Sequence, residues 1–331
     1  MKNLVLAIFT SLVTQPFCNS DSFVLCNTYN FNHLTSKTNL NIDTSAKKMR
    51  NFVIEISKYA KEINPDFLII PQNGIELCFN ELEPSNGFHS NYMNSIDGIG
   101  VESLFKHDST ETTNNRLKSL RILKDYKKVF VSDYQQKGLL TRTVSSKNKK
   151  EGFASFPRDK ENYDYIKIPT FVSQENKNDI LTINDVKNYL YLINYSNFES
   201  KKQLLENIKN TNYDLILIDL FFFKEQFTKE EINSIKVKKN GGSRLVISYL
   251  NIGSAEKFRY YWKSKWKLGS PGWLEKKYEG YDDEIWVKFW RRSWRKIIYG
   301  NNNSYIKKIT DAGFDGAYLD NVEAYYFLKF D

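Results

Sequence analysis

Short apolar segments that end abruptly at polar or acidic residues recur along the chain, and segments with helical periodicity lie between them. Short apolar runs bounded by turn residues are typical of buried strands. Eight segments have this pattern, and they comprise residues 67–70, 99–101, 129–131, 189–193, 214–218, 245–250, 285–289 and 317–319. Because strands and helices alternate with short connections, we expect a parallel sheet with right-handed crossovers.

Helical patterns connect several of these segments. Residues 46–63 carry apolar side chains three and four positions apart, and Pro65 follows where a helix would stop. Thr228 and Glu231 have the spacing of a capping box, which predicts a helix that runs to about residue 238. Shorter helices are predicted at residues 118–123, 203–209 and 304–312.

Eight is the number of parallel strands that closes a (β/α)8 barrel. The pattern therefore predicts an α/β fold with a single TIM-barrel domain over residues 46–331, preceded by an irregular polar segment at residues 21–45. A long loop is expected at about residues 135–182, because this stretch is charged, poor in periodicity and interrupted by two prolines. Two domains divided near residues 160–185 are the alternative.

Residues 1–20 have the pattern of a secretory signal peptide. Lys2 supplies a positive start, residues 4–13 form an apolar segment too short to span a bilayer, and small residues follow. We expect export to the periplasm, the cell envelope or the medium, and no transmembrane span in the mature chain. Lipid anchoring at Cys18 is the alternative, although the three residues before it form a poor lipobox.

The composition narrows the range of partners. The chain has 331 residues, of which 41% are apolar, and this supports a sizeable core. The net charge of +9 permits weak attraction to polyanions, but no nucleic-acid-binding motif accompanies it, so we expect no nucleic acid partner. The three histidines and three cysteines share no metal-ligand spacing and no phosphate-binding loop is present, so no metal or cofactor is expected.

Two segments carry a family resemblance. Residues 245–262, LVISYLNIGSAEKFRYYW, and residues 311–327, DAGFDGAYLDNVEAYYF, resemble the barrel of glycoside hydrolase family 114. The characterised members of that family are endo-α-1,4-polygalactosaminidases. The resemblance implies a hydrolase of α-linked amino-sugar polysaccharides, with an oligosaccharide or polysaccharide as its partner.

The order of the motifs differs from the family order. The strands that follow the Asp-Asn motif in family 114 end in Lys-Asn or Gln-Asn, then in Glu, then in Asp-Tyr. These endings occur upstream here, as Gln72-Asn73, Glu102 and Asp133-Tyr134. We therefore expect a circularly permuted barrel whose last three strands are encoded first, which is allowed where chain termini lie close together. An independent N-terminal domain is the alternative.

Carboxylates at predicted strand ends are the candidate catalytic groups. Hydrolysis of a glycosidic bond uses one protonated carboxyl group and one ionised carboxylate. Asp219, Glu256, Asp320 and Glu102 occupy such positions. Asp219 follows four apolar residues and has no basic neighbour in the sequence, so we expect burial to raise its pKa. A helix cap or an ion pair is the structural alternative for these carboxylates.

Other residues near the strand ends are candidates for substrate binding. Amides hydrogen-bond sugar hydroxyls, tryptophan stacks on sugar rings, and Arg259 is placed to orient Glu256 through a bidentate pair. The candidates are Asn73, Asp133, Tyr134, Asn194, Tyr249, Ser254, Arg259, Trp262, Arg291 and Asn321. Ordinary packing is the alternative for Trp262 and for Trp273.

Two positions depart from the family pattern. Ser254 stands where bacterial relatives have Glu, although fungal members also have Ser. Arg291 follows Trp290 where the family has Asp, and this exchange inverts the local charge. Arg291 would neutralise a neighbouring catalytic Asp and lower its pKa, or it would bind an anionic sugar. A catalytically weak or inactive carbohydrate-binding barrel at the cell envelope is therefore the alternative function.

Overall fold

The computed structural model describes residues 36–105, 111–134 and 141–328. The predicted signal peptide at residues 1–20, with Cys18, lies outside the described residues. The helices are α1 (Ser36–Ile63), α2 (Ser90–Ser95), α3 (Glu111–Leu123), α4 (Thr141–Glu151), α5 (Lys201–Lys209), α6 (Lys229–Ser234), α7 (Arg292–Ile298), α8 (Tyr305–Asp311) and α9 (Ala324–Phe327). Short 3-10 helices lie at Ile75–Cys78, Asn80–Leu82, Pro84–Asn86, Lys160–Asn162 and Ile183–Asp185.

The strands alternate with these helices along most of the chain. They are β1 (Leu68–Pro71), β2 (Gly98–Glu102), β3 (Lys128–Tyr134), β4 (Ala154–Arg158), β5 (Tyr189–Leu192), β6 (Leu215–Asp219), β7 (Phe221–Phe222), β8 (Glu225–Gln226), β9 (Leu245–Asn251), β10 (Ser254–Glu256), β11 (Leu274–Lys277), β12 (Glu284–Val287) and β13 (Gly316–Asp320).

Eight of these strands pair in parallel, in two sheets. One sheet has the order β5-β6-β9-β13-β1, and the other has the order β2-β3-β4. Single parallel bridges join the two sheets on both sides, one between Gln72 and Gly100 and the other between Ser155 and Asn188. The prediction of an α/β fold with a parallel sheet is confirmed.

Residues 285–289 are the exception among the predicted strands. They contribute to β12, which pairs antiparallel with β10 and β11 in a separate sheet. Parallel pairing needs a crossover connection, and the described residues 257–283 contain no helix that would return the chain to the start of the sheet. Ile285, Trp286 and Val287 are all buried, so this segment has the same apolar pattern as a buried parallel strand.

The remaining parallel strand lies in the stretch predicted to be a long loop at residues 135–182. Helix α4 and strand β4 occupy residues 141–158 of that stretch, so the loop prediction is wrong there. Few residues of α4 are apolar, and β4 contains Pro157. Neither segment therefore shows a clear periodicity of apolar residues. Pro157 is tolerated because one side of β4 is joined to its neighbour through a single bridge, between Ser155 and Asn188 just before β5.

Two helix boundaries also differ from the predictions. Helix α1 begins at Ser36, inside the segment predicted to be irregular, because Ile42 extends the apolar spacing by one turn and packs on the core. The capping box of α6 is confirmed, since Thr228 and Glu231 exchange hydrogen bonds of 2.8 and 3.2 Å. That helix ends early because the buried Lys238 turns inward to pair with Asp214 at 2.8 Å.

The parallel strands direct their carboxyl ends to a common edge, where polar side chains follow the buried strands. Neighbouring registers place Asp320 beside Asn251 and Asp219 beside Tyr249. Inside, the Tyr318 ring packs directly on Gly100, since a Cβ atom at residue 100 would lie 1.8 Å from the Tyr318 hydroxyl. Among the described residues, no helix has both the length and the apolar character needed to cross a membrane.

Candidate active site

Asp320 is the last residue of β13 and lies at the centre of a hydrogen-bond network. Its Oδ2 accepts a bond of 2.6 Å from the Tyr249 hydroxyl, and its Oδ1 accepts one of 3.0 Å from Nε2 of Gln72. Burial raises the pKa of Asp320 to about 7, the negative charge of Glu102 adds to this, and the bond from Tyr249 opposes it. The carboxyl group therefore exchanges its proton near neutral pH.

Glu102 is the last residue of β2 and is fixed by Arg158, the last residue of β4, and by Tyr165, which follows that strand. Nη2 of Arg158 lies 3.8 Å from Oε1 of Glu102, and the Tyr165 hydroxyl donates a hydrogen bond to the same oxygen. Arg158 is itself held by the carbonyl of Tyr163 at 2.5 Å and lies 4.1 Å above the centre of the Tyr165 ring. Glu102 therefore lies beside a buried cation and has its side chain fixed in one orientation.

Asn73 connects Glu102 to a further carboxyl group, that of Glu323. Its Oδ1 accepts a hydrogen bond of 3.3 Å from the backbone N–H of Glu102, and its Nδ2 donates one of 3.1 Å to Oε1 of Glu323. Asn73 has a φ of 60°, a left-handed conformation that asparagine tolerates better than most residues. Burial raises the pKa of Glu323 to about 8, and the charge of Asp320 adds to this.

Arg259 joins the candidate carboxylates Asp219 and Glu256. Its Nε and Nη2 donate to the two carboxylate oxygens of Glu256 at 2.6 and 3.1 Å, and its Nη1 donates to Asp219 and, at 3.0 Å, to the Tyr305 hydroxyl. Burial raises the pKa of Glu256, and the charge of Arg259 opposes this. The expected bidentate pair is present. Asp219 has no basic neighbour in the sequence, but Arg259, 40 positions later, reaches it through the fold.

Ser254 and Asn321 form a third polar group around Glu284. Oγ of Ser254 donates to Oε2 of Glu284 at 2.9 Å and accepts from Nδ2 of Asn251 at 2.6 Å and from Nδ2 of Asn321 at 3.3 Å. Burial, followed by the charge of Glu256, raises the pKa of Glu284. In the sequence Glu284 precedes an apolar segment, so a search for carboxylates at the carboxyl ends of strands overlooks it.

Several predicted site residues satisfy their polar groups within the protein instead. Asp133 is fully buried and accepts bonds of 2.9 Å from the Phe105 backbone and from Asn148. Asn194 accepts a local turn bond of 3.0 Å from the Ser196 backbone. The side chain of Tyr134 lies outside the described part of the chain.

The two predicted tryptophans pack on another aromatic ring, and Arg291 lies at the start of α7. Trp262 is half-buried and packs on Trp266 with ring centres 5.5 Å apart, and Trp273 packs on the same ring at 5.0 Å. Arg291 is exposed just before α7, and within the described ranges no ion pair links it to a carboxylate. The segment before Arg291 pairs antiparallel with β10, so Arg291 does not follow a parallel strand as the sequence pattern predicted.

Sequence reasoning missed residues at unrecognised strands as well as residues in loops, since Arg158 ends β4 and Glu284 begins β12. Gln72 was noted only as part of a motif, and Arg158, Tyr165, Glu284 and Glu323 were not singled out. Glu323 could have been found from the sequence, because it lies three residues after Asp320 in the segment that resembles the family. In the described residues, no group of three or more His, Cys, Asp or Glu side chains is arranged to hold a metal ion.

A set of carboxyl groups at the carboxyl ends of parallel strands defines an α/β protein with an enzyme-like site. The model of Glycoside-hydrolase family GH114 matches residues 196–330, a stretch that contains Asp219, Glu256 and Asp320. The resemblance to this family is therefore confirmed over that stretch. Glu102, Gln72 and Asn73 lie outside it.

Curated relatives from three organisms match a similar length of chain. An uncharacterized protein of Methanocaldococcus jannaschii is 36% identical over 126 residues, which is 37% of this chain and 34% of that protein. An uncharacterized protein of Thermotoga maritima is 29% identical over 118 residues, 36% of this chain and 35% of that protein. One of Deinococcus radiodurans is 28% identical over 121 residues, 37% of each. The chain spans about a third of the length of the curated relatives it matches.

Proposed function

We propose that this protein is a glycoside hydrolase that cleaves an α-linked amino-sugar polysaccharide with Asp320 and Glu102. The observation that carries the proposal is that Asp320 and Glu102 each end a parallel strand and are bonded to the adjacent residues Gln72 and Asn73. Burial, with the charge of Glu102, raises the pKa of Asp320 to about 7. A carboxyl group that holds its proton near neutrality is suited to protonate the leaving oxygen. The choice of an amino-sugar polymer rests on the family resemblance of residues 196–330.

The proposed roles of the carboxyl groups follow from the residues that surround each of them. Asp320 donates its proton to the glycosidic oxygen, and Tyr249 and Gln72 hold its carboxyl group in one orientation. Glu102, beside Arg158, is the second carboxyl group and either attacks the sugar or activates a water molecule. Asp219 and Glu256 share Arg259 and serve to shape the site rather than to transfer protons.

We propose that the eight parallel strands form one closed barrel in a permuted order. The two single bridges, Gln72 to Gly100 and Ser155 to Asn188, support closure, since each joins the outer strands of the two sheets. A re-ordered gene in which residues 160–328 precede residues 36–158 should give a folded protein with the same site. Two fragments that fold independently would contradict the proposal.

Release of reducing ends from α-1,4-linked galactosamine oligomers tests the activity. We expect turnover by the wild type, and losses of about a hundredfold or more in Asp320→Asn and in Glu102→Gln, as is usual when a catalytic acid or base is removed. Glu279→Gln, a change at an exposed carboxylate, is the control and should leave the rate unchanged. Equal rates in the wild type and Asp320→Asn would refute the assignment.

A carbohydrate-binding protein without turnover is the second candidate. It is favoured by Arg259, which neutralises two of the candidate carboxylates at once. Under this alternative, oligomers bind with the same affinity to the wild type and to Asp320→Asn, and no reducing ends appear.

Export is also a proposal, and it rests on the signal-like sequence of residues 1–20. Expression with and without these residues, followed by fractionation, tests it. Equal distribution of the two forms between cell and medium fractions would contradict export.

A further inference from the structure

Glu323 has a carboxyl oxygen that the described residues leave without a partner. It lies in the turn between β13 and α9, and its Oε1 accepts the 3.1 Å bond from Nδ2 of Asn73. Its Oε2 is shielded from solvent, and no hydrogen-bond donor or acceptor of the described chain reaches it. Buried polar atoms in folded proteins nearly always have a partner, so this oxygen calls for one from outside the chain.

The orientation of the Glu323 carboxyl group is set by the strand edge. The Asn73 amide is fixed because its Oδ1 accepts the N–H of Glu102, and this leaves Nδ2 to hold Oε1 of Glu323. Oε2 is therefore the carboxyl oxygen of Glu323 that has no hydrogen bond within the described chain. The charged and titratable groups that face Glu323 are Asp320 from β13, Glu102 from β2, Arg116 from α3 and Tyr325 from α9.

We propose that Glu323 is a substrate-binding residue, that binding of a sugar beside Asp320 exposes its Oε2–H, and that this group then donates a hydrogen bond to an oxygen of the sugar. The inference rests on the proposed glycosidase function and adds a contact to it. Glu323 follows Asp320 by three residues, and Asn73 bridges it to Glu102, so it belongs to the same edge as the reacting pair. Because burial and the charge of Asp320 raise the pKa of Glu323 to about 8, it carries the required proton at neutral pH.

Two substitutions separate hydrogen bonding from volume. In Glu323→Gln the carbonyl oxygen still accepts from Asn73, and the amide nitrogen replaces Oε2 as a donor. Glu323→Met keeps a side chain of similar length but removes both the hydrogen-bond acceptor and the hydrogen-bond donor. We expect KM for α-1,4-galactosamine oligomers to change less than about threefold in Glu323→Gln and to rise about fivefold to tenfold in Glu323→Met, with a smaller change in kcat.

Matched measurements show whether the effect is specific to substrate. Glu76→Gln changes a neighbouring carboxyl group that accepts from Tyr325 at 3.5 Å, and it should leave KM unchanged. Thermal unfolding of each variant shows that it is folded. Calorimetric binding of the same oligomers to Asp320→Asn, with and without Glu323→Met, measures affinity without turnover and should show the same fivefold to tenfold loss, on the order of a single hydrogen bond.

The outcomes distinguish this inference from the proposed function. If the wild type turns over or binds the oligomers and Glu323→Met does so equally well, the inference alone is overturned. An equal rise of KM in Glu323→Gln and Glu323→Met also overturns it, because the contact would then require an ionised carboxylate. If the wild type neither hydrolyses nor binds the oligomers, the proposed function fails and the inference fails with it.

Discussion

The hydroxyl of Tyr249 donates a hydrogen bond of 2.6 Å to Oδ2 of Asp320. This bond stabilises the ionised form and so opposes burial and the charge of Glu102, which together raise the pKa of Asp320 to about 7 in spite of it. In Tyr249→Phe the pKa of Asp320 should therefore rise further. If Asp320 is the proton donor, the alkaline limb of kcat/KM should move from near pH 7 to higher pH.

The pH dependence of oligomer hydrolysis by Tyr249→Phe and by the wild type measures this shift. Tyr260→Phe is the control, since the Tyr260 hydroxyl bonds the carbonyl of Asn303 and not a candidate carboxylate. If the alkaline limb of kcat/KM has the same pH midpoint in Tyr249→Phe as in the wild type, a group other than Asp320 controls that limb.

Removal of Arg259 should strongly destabilise the fold. In Arg259→Met the carboxylates of Asp219 and Glu256 stay buried without their cation, and the loss of one partner from a buried pair costs about 3–5 kcal/mol. Urea unfolding at pH 7 measures the change. Arg121→Met, at an exposed pair with Glu151, is the control and should cost much less. Comparable losses in the two variants would contradict the role of Arg259.

A methyl group at residue 100 should disturb the interior. In Gly100→Ala the new Cβ would lie 1.8 Å from the Tyr318 hydroxyl, and overpacking of this kind typically costs about 1–3 kcal/mol. Gly272→Ala has open space around the added methyl group and is the control. Unfolding free energies from urea titration compare them, and recovery in Gly100→Ala combined with Tyr318→Leu would identify the ring as the cause.

Stability should fall as the pH rises from about 4 to 8. The pKa of Asp320 rises from 3.8 to about 7 on folding, and that of Glu323 rises from 4.5 to about 8. The folded state binds more protons than the unfolded state in this window, so each group lowers the free energy of unfolding by up to about 1.4 kcal/mol per pH unit. Asp320→Asn and Glu323→Gln should therefore stabilise the protein at pH 8 more than at pH 4.

Urea titrations at pH 4, 6 and 8 test this linkage. Glu206→Gln, at an exposed carboxylate, should leave the pH profile of the wild type unchanged. A Glu323→Gln variant whose stability differs from that of the wild type by the same amount at every pH would contradict the raised pKa.

The sequence predicted most of the strand ends because a buried parallel strand is a continuous apolar run. Asp219, Asp320 and Glu102 each end such a run, and each lies at the end of a parallel strand. The same rule failed for β12, whose residues are equally buried although the strand is antiparallel. Strand β4 was missed because its burial comes from tertiary contacts and not from its own composition.

The pairing of charges could not be predicted in the same way. Arg259 was expected to hold Glu256 because the two are three residues apart, whereas its bond to Asp219 depends on how β6 and β10 meet. Arg158 and Tyr165 fall in the stretch predicted to be a loop, so their contacts with Glu102 had no sequence signal. The spacing of residues in the sequence predicts ion pairs between residues close in the chain. Pairs between residues far apart in the chain become visible only in the folded structure.

The hydrogen bond from Gln72 to Asp320 joins residues 248 positions apart. During synthesis the ribosome must therefore translate the message as far as residue 320 before this pair can meet. A shortened polypeptide restricted to the GH114-matching stretch would begin without Gln72, Asn73 and Glu102. Premature termination a few codons before residue 320 would leave a nascent chain that has Gln72 and Glu102 but lacks Asp320.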